Sequence, residues 1–102
     1  MNRVVLVTGA CGGIGSALSR RFVELGDTVL ALDLDAEALE AFAAGLGADR
    51  VTPVVADLAD AAAVQRAVAQ AVKLRGPVDV LVANAGGAKA GTLASTDITS
   101  WQ

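Results

Sequence analysis

Apolar residues fall into two alternating patterns along this chain, short unbroken runs and stripes at helical spacing. Arg3 to Thr8 is a β-branched, apolar run of the kind carried by a strand covered on both faces. Ile14, Leu18, Phe22 and Leu25 then recur at helical spacing, and Gly26 supplies a C-terminal stop. Thr28 to Asp33 reads as a second buried strand. Asp35 is placed to cap a helix with the stripe Leu39, Phe42 and Leu46, ended by Gly45 and Gly47. Val51 to Ala56 is a third strand, and Pro53 within it points to a sheet edge, because proline cannot donate to a central ladder. Asp60 opens an alanine-rich helix with Val64, Val68 and Val72 on one stripe, closing at Gly76-Pro77. Val78 to Val82 is the fourth strand and runs into Ala83-Asn84-Ala85-Gly86. The sequence then turns small and polar up to Ser100, with Asp97 placed to begin another helix.

Strands that alternate with crossover helices imply a parallel sheet covered on both sides, an α/β fold of three layers. Right-handed crossovers put the first two helices on one face and the third on the other if the strand order is 3-2-1-4. No repeat, linker or low-complexity tract marks a boundary, so residues 1–102 read as part of one domain.

Composition narrows the chemistry. The 102 residues include no His and no Tyr, which excludes a Ser–His–Asp triad, a Cys–His pair and an imidazole-ligated zinc. No metal site is expected. The lone Cys11 cannot close an internal disulfide, which fits a reducing, cytoplasmic setting. A net charge of −3, with 8 basic side chains spread along the chain, argues against nucleic acid or an anionic membrane as partner. The longest uncharged run, Val4 to Ser19, contains four glycines and falls short of the roughly 20 residues a spanning helix needs. Apolar residues are 54% of the chain, and with the 11 Gly they reach about two-thirds. Ordinary domains hold roughly 45–50% on that count. Either an unusual fraction of the chain is buried, or part of the burying partner is missing.

The strongest chemical signal is Thr8-Gly9-Ala10-Cys11-Gly12-Gly13-Ile14-Gly15, between the first strand and the first helix. A parallel sheet aims its strand C-termini and the following helix N-termini at one edge. Backbone N–H groups there have no intrahelical partner and carry partial positive charge. A pyrophosphate accepts from them only where no Cβ intrudes. Gly9 permits the tight turn, Gly13 lets phosphates approach, and Gly15 lets the helix pack close to the sheet. The strand–loop–helix context makes this more than ordinary turn punctuation and points to a Rossmann-type nucleotide site.

Three further positions fall at the same edge. Asp33 ends the second strand, 18 residues beyond Gly15, where a carboxylate accepts from the hydroxyls of an adenosine ribose. Its charge repels a 2′-phosphate, and no Arg occupies Gly12, Leu34 or Asp35 to neutralise one, which favours NAD over NADP. Asp57-Leu58 follows the third strand and offers a carboxylate to an adenine amino group, with an apolar side; the plainer role for Asp57 is a helix cap. Asn84-Ala85-Gly86 ends the fourth strand at the crevice where strand order reverses, with Asn84 tying strand ends together.

In order and spacing these motifs resemble the short-chain dehydrogenase/reductase family over the whole chain, in its simple single-domain form. Gly9, Gly12 and Gly15 also fit the spacing of the family's extended branch, and Ala83 stands where many members carry a second Asn. The resemblance implies that Gly9, Gly13, Ile14 and Gly15 surround the pyrophosphate. It puts Asp33 on the ribose, Asp57 and Leu58 at adenine, and Asn84, Ala85 and Gly86 beside the nicotinamide-side ribose. It also implies hydride transfer between a nicotinamide and a small alcohol or carbonyl substrate, and leaves room for a homo-oligomer of the full-length protein. The family's acid/base is a Tyr with a nearby Lys, a Ser and a later Asn, all downstream of Asn84. No residue here inherits that role. The expectation is therefore an inactive, cofactor-binding half, ending about where the next helix begins.

Other residues take plainer roles. Cys11 fills a tight loop, although a helix N-terminus can lower a thiol pKa. Lys89 reads as a solvated loop lysine and Trp101 as packing for a missing helix. Glu37, Glu40, Arg20 and Arg21 read as solvated helix faces. The rival readings are a non-catalytic dinucleotide-binding regulatory module and a methyltransferase. The second fits Asp57 and Asn84 to Gly86 poorly.

Overall fold

In a computed structural model of the protein, residues 2–84 are described, and the expectations that fall on Ala85, Gly86, Lys89, Asp97 and Trp101 lie outside them. Four strands and three helices alternate: β1 (Val4–Thr8), α1 (Gly13–Glu24), β2 (Thr28–Asp33), α2 (Ala36–Leu46), β3 (Val51–Val55), α3 (Ala61–Arg75) and β4 (Val80–Val82). The strands form one parallel sheet in the order β3-β2-β1-β4. In β1, Val4 lies opposite Thr28 of β2, and Val5 lies opposite Val80 of β4.

Successive side chains of a strand point to opposite faces, so the runs in β1 and β2 feed two cores. Leu6, Leu30 and Leu32 pack with Val64, Val68 and Ala71 of α3. Val5, Val7, Val29 and Ala31 pack with Leu39 and Ala43 of α2, with Phe22 and Val23 of α1 alongside. Each fully buried Leu or Val contributes roughly 1.5–3 kcal/mol. The first two helices thus share one face and the third takes the other, as right-handed crossovers require.

Pro53 does lie on an edge strand. Val29 N–H donates to the Arg50 carbonyl and Ala56 N–H to that of Asp33. By parity the donors of Thr52 and Val54 turn toward β2, and the donorless Pro53 faces outward.

Two expectations need correction. The stripe assigned to α1 is rotated: Ile14 is 69% and Leu25 43% exposed, while Gly15 and Ser19 face the sheet and are buried. The start of α1 approaches β1 too closely for a large side chain. Ser19 answers its own burial by donating to the Gly15 carbonyl at 2.8 Å. Gly45 does not end α2 but lies inside it; the stop is Gly47, at φ 108°.

Asp35 and Asp60 cap α2 and α3, each accepting from the N–H three residues on, at 3.1 Å. At the sheet edge away from the glycine loop, the buried Asp27 accepts from the Arg3 backbone N–H at 3.1 Å and from its guanidinium at 3.2 and 2.8 Å. Those bonds from the Arg3 side chain hold the Asp27 carboxyl below its ordinary pKa against the opposing effect of burial.

Candidate dinucleotide site

The loop between β1 and α1 is tied down along its length. Gly9 sits at φ 64°, a conformation that favours glycine. Ala10 N–H donates to the Leu32 carbonyl at 3.1 Å, Cys11 N–H to Asp33 Oδ2 at 3.0 Å, and Gly12 N–H to the Gly9 carbonyl at 3.1 Å. Ser16 N–H then closes the first helical turn on the Gly12 carbonyl at 2.8 Å.

The amino end of α1 differs from those of α2 and α3. Gly12 is its N-cap and no side chain caps it, whereas Asp35 and Asp60 cap the other two. Among the described residues no side chain caps the N–H groups of its opening turn, where the positive end of the helix dipole falls.

A Cβ added at each loop glycine separates what the fold needs from what it does not. At Gly15 the added atom would lie 2.1 Å from the Gly9 carbonyl oxygen and 2.9 Å from Asn84 Nδ2, so Gly15 is required by packing. At Gly12 it would lie 3.4 Å from the Gly9 oxygen, an ordinary contact. At Gly13 it would meet nothing within 4 Å among the described residues. Among the described residues, neither packing nor a positive φ requires a glycine at position 13.

Two adjoining recesses open at this edge and share Gly9 and Asp33. One, of about 380 Å³, is lined by Gly9, Gly12, Gly13, Ile14, Asp33 and Asn84. The exposure that removes Ile14 from the core places it on this surface. The other, of about 250 Å³, runs between Asp33 and Leu34 on one side and Ala56, Asp57 and Leu58 on the other. Gly9, Gly13, Ile14, Gly15, Asp33, Asp57, Leu58 and Asn84 therefore gather around one sheet edge; the placement of Ala85 and Gly86 lies outside the described residues.

The details refine several expectations. Asp33 is not merely a solvated strand end, since Oδ2 accepts from Cys11 N–H and Oδ1 from Leu34 N–H at 2.7 Å. Asp57 does not cap α3; it accepts from Ala59 N–H at 2.9 Å and leaves capping to Asp60. The tie at Asn84 runs through its backbone: its N–H donates to Thr8 Oγ1 at 2.9 Å, and Thr8 Oγ1 donates to the Val82 carbonyl at 3.4 Å. Burial, then the charges of Asp33 and Asp35, and a side-chain hydrogen bond to Asp33 raise the Cys11 thiol pKa above its ordinary value.

Sequence reasoning missed Leu34. It is 65% exposed and lines the same recess as Leu58, an apolar side chain next to Asp33. The available signal was a leucine between a strand-ending Asp and a capping Asp, outside any stripe.

The family model described as short chain dehydrogenase matches residues 3–102. The chain belongs to the short-chain dehydrogenase family. Among its curated relatives is 2-(R)-hydroxypropyl-CoM dehydrogenase of Xanthobacter autotrophicus, 45% identical over 96% of this chain and 42% of that protein. The chain spans about two fifths of the length of such curated relatives. Solved short-chain enzymes share its fold. A 3-ketoacyl-(acyl-carrier-protein) reductase from Brucella melitensis complexed with NADH matches at TM-score 0.78 and 39% identity, over 82% of this chain and 34% of its own. A metagenomic short-chain oxidoreductase in complex with NADP matches at 0.76 and 33%, over 83% and 39%. Short-chain family members thus bind nicotinamide dinucleotides of both kinds.

Proposed function

We propose that these residues form the amino-terminal part of one Rossmann domain in an NAD-preferring short-chain oxidoreductase, and that they carry its cofactor-binding half. The observation that supports this most directly is the uncapped amino end of α1 beside Gly13, where a side chain would have room and none is present. A diphosphate fits there, with Gly9, Gly13, Ile14 and Gly15 around it. Asp33 then faces the adenosine ribose, Asp57 and Leu58 the adenine with Leu34 opposite, and Asn84, Ala85 and Gly86 the second ribose.

The preference for NAD rests on charge. The Asp33 carboxylate lies at the shared wall of both recesses, and among the described residues no basic side chain lines either of them. A phosphate on the ribose 2′ position would meet that carboxylate without a counter-charge. When bound, the nicotinamide supplies or accepts the hydride in exchange with an alcohol or carbonyl carbon. The residues described here bind and orient; the proton is handled by residues outside this sequence, which has no Tyr.

Titration of the intact protein with NADH and NADPH, followed by the fluorescence of the reduced ring, tests the reading. NADH should bind more tightly by at least tenfold, about 1.4 kcal/mol. Equal affinities would remove the role given to Asp33, and no uptake of either would remove the dinucleotide site.

A further inference from the structure

Asp33 has a second contact that a ribose-binding residue does not need. Its Oδ2 accepts from the backbone N–H of Cys11, in the middle of the glycine loop, at 3.0 Å. Its Oδ1 accepts from Leu34 N–H at 2.7 Å, which fixes the carboxylate's own orientation at the end of β2. One side chain on β2 therefore holds the loop that leaves β1.

We propose that Asp33 is a positioning residue for the glycine loop, setting the diphosphate cradle before any ligand arrives. The inference rests on the dinucleotide reading above and extends it from the ribose to the phosphates. The physical reason lies in the loop's composition. Gly9, Gly12 and Gly13 place three of the most flexible residues within five positions. An unanchored loop of this kind samples many conformations, and its apparent affinity falls by the fraction that is competent. The backbone bonds from Ala10 to Leu32 and from Gly12 to Gly9 hold its two ends. The Cys11 N–H between them is held by the carboxylate, a charge-assisted bond stronger than a neutral one.

This role and simple electrostatics predict opposite signs. A carboxylate beside an anion site should weaken diphosphate binding, so removing it should strengthen a ligand that makes no ribose contact. If Asp33 sets the loop, removing it weakens that same ligand.

The test uses the intact protein, wild type and Asp33→Ala. Amide hydrogen exchange of the ligand-free protein is read at Cys11, with Val5 to Val7 of β1 as the control for the fold. Exchange at Cys11 should accelerate at least about tenfold with β1 unchanged. An unchanged rate at Cys11 overturns the proposal. Affinity is then measured for an NADH analogue whose adenosine ribose lacks both hydroxyls. Weaker binding by Asp33→Ala is expected, and equal or tighter binding overturns the proposal. Should Asp33→Ala melt β1, Asp33→Ser is read by the same criteria, because its hydroxyl stops one bond short of the carboxylate oxygens. Wild-type protein that takes up no NADH refutes the dinucleotide site instead, and the exchange measurement still decides the anchor.

Discussion

Gly15→Ala and Gly13→Ala exchange the same atoms two positions apart on one helix, and the structure assigns them opposite consequences. At Gly15 the new methyl would start 2.1 Å from the Gly9 carbonyl oxygen, where real contacts stay beyond 3.0 Å, so at least 0.9 Å of movement is needed. The obstacle is backbone, and it already accepts from Gly12 N–H, so no flexible side chain can move aside. Overpacking of this kind costs ~1–3 kcal/mol, and alanine's helix propensity offsets at most about 1 kcal/mol of it. With backbone as the neighbour, a net loss of about 2 kcal/mol is expected. Gly13→Ala meets no neighbour and should leave stability within about 0.5 kcal/mol of wild type. It should instead weaken NADH by at least about tenfold, because the methyl would occupy the space proposed for a phosphate. Urea unfolding and NADH titration of the intact protein read both quantities. A Gly15→Ala variant as stable as wild type would refute the packing argument. A Gly13→Ala variant with unaltered affinity would refute the placement of the diphosphate.

Leu34→Ala, at an exposed position, should change stability by less than about 0.5 kcal/mol while weakening NADH roughly threefold to tenfold through lost apolar contact; unaltered titration would take Leu34 out of the site. Asp60→Ala should cost about 1 kcal/mol by uncapping α3, read by urea unfolding, with NADH affinity retained. Asp27 has a folded-state pKa below its unfolded one, so its contribution is present above the ordinary carboxylate range and is lost as pH falls through the lowered value. Asp27→Asn should therefore flatten the acid side of the stability–pH curve, measured by unfolding midpoints between pH 7 and the acid limit, and an unaltered acid slope would refute the pairing with Arg3.

The legible parts of this protein were those where one residue type has one physical use. Asp35 and Asp60 were read as caps because a carboxylate before an apolar stripe has a free helix end to satisfy, and Pro53 marked an edge because a missing donor is tolerated only there. The rotation of α1 was not legible. Spacing alone makes Ile14 a core residue, and only the closeness of Gly15 to the Gly9 carbonyl shows that this helix end packs through small residues. Within the site, the gathering of Gly13, Asp33, Asp57 and Asn84 followed from strand order, since parallel strands deliver their ends to one edge. The bond from Cys11 to Asp33 did not follow, because a backbone donor carries no residue signature.

The outward-turned Pro53 also gives the sheet a direction. One flank finishes on a ring nitrogen that offers no hydrogen to a newcomer, while among the described residues β4 is paired on one side only, with β1. A stray chain approaching β3 would find its ladder interrupted at the middle rung.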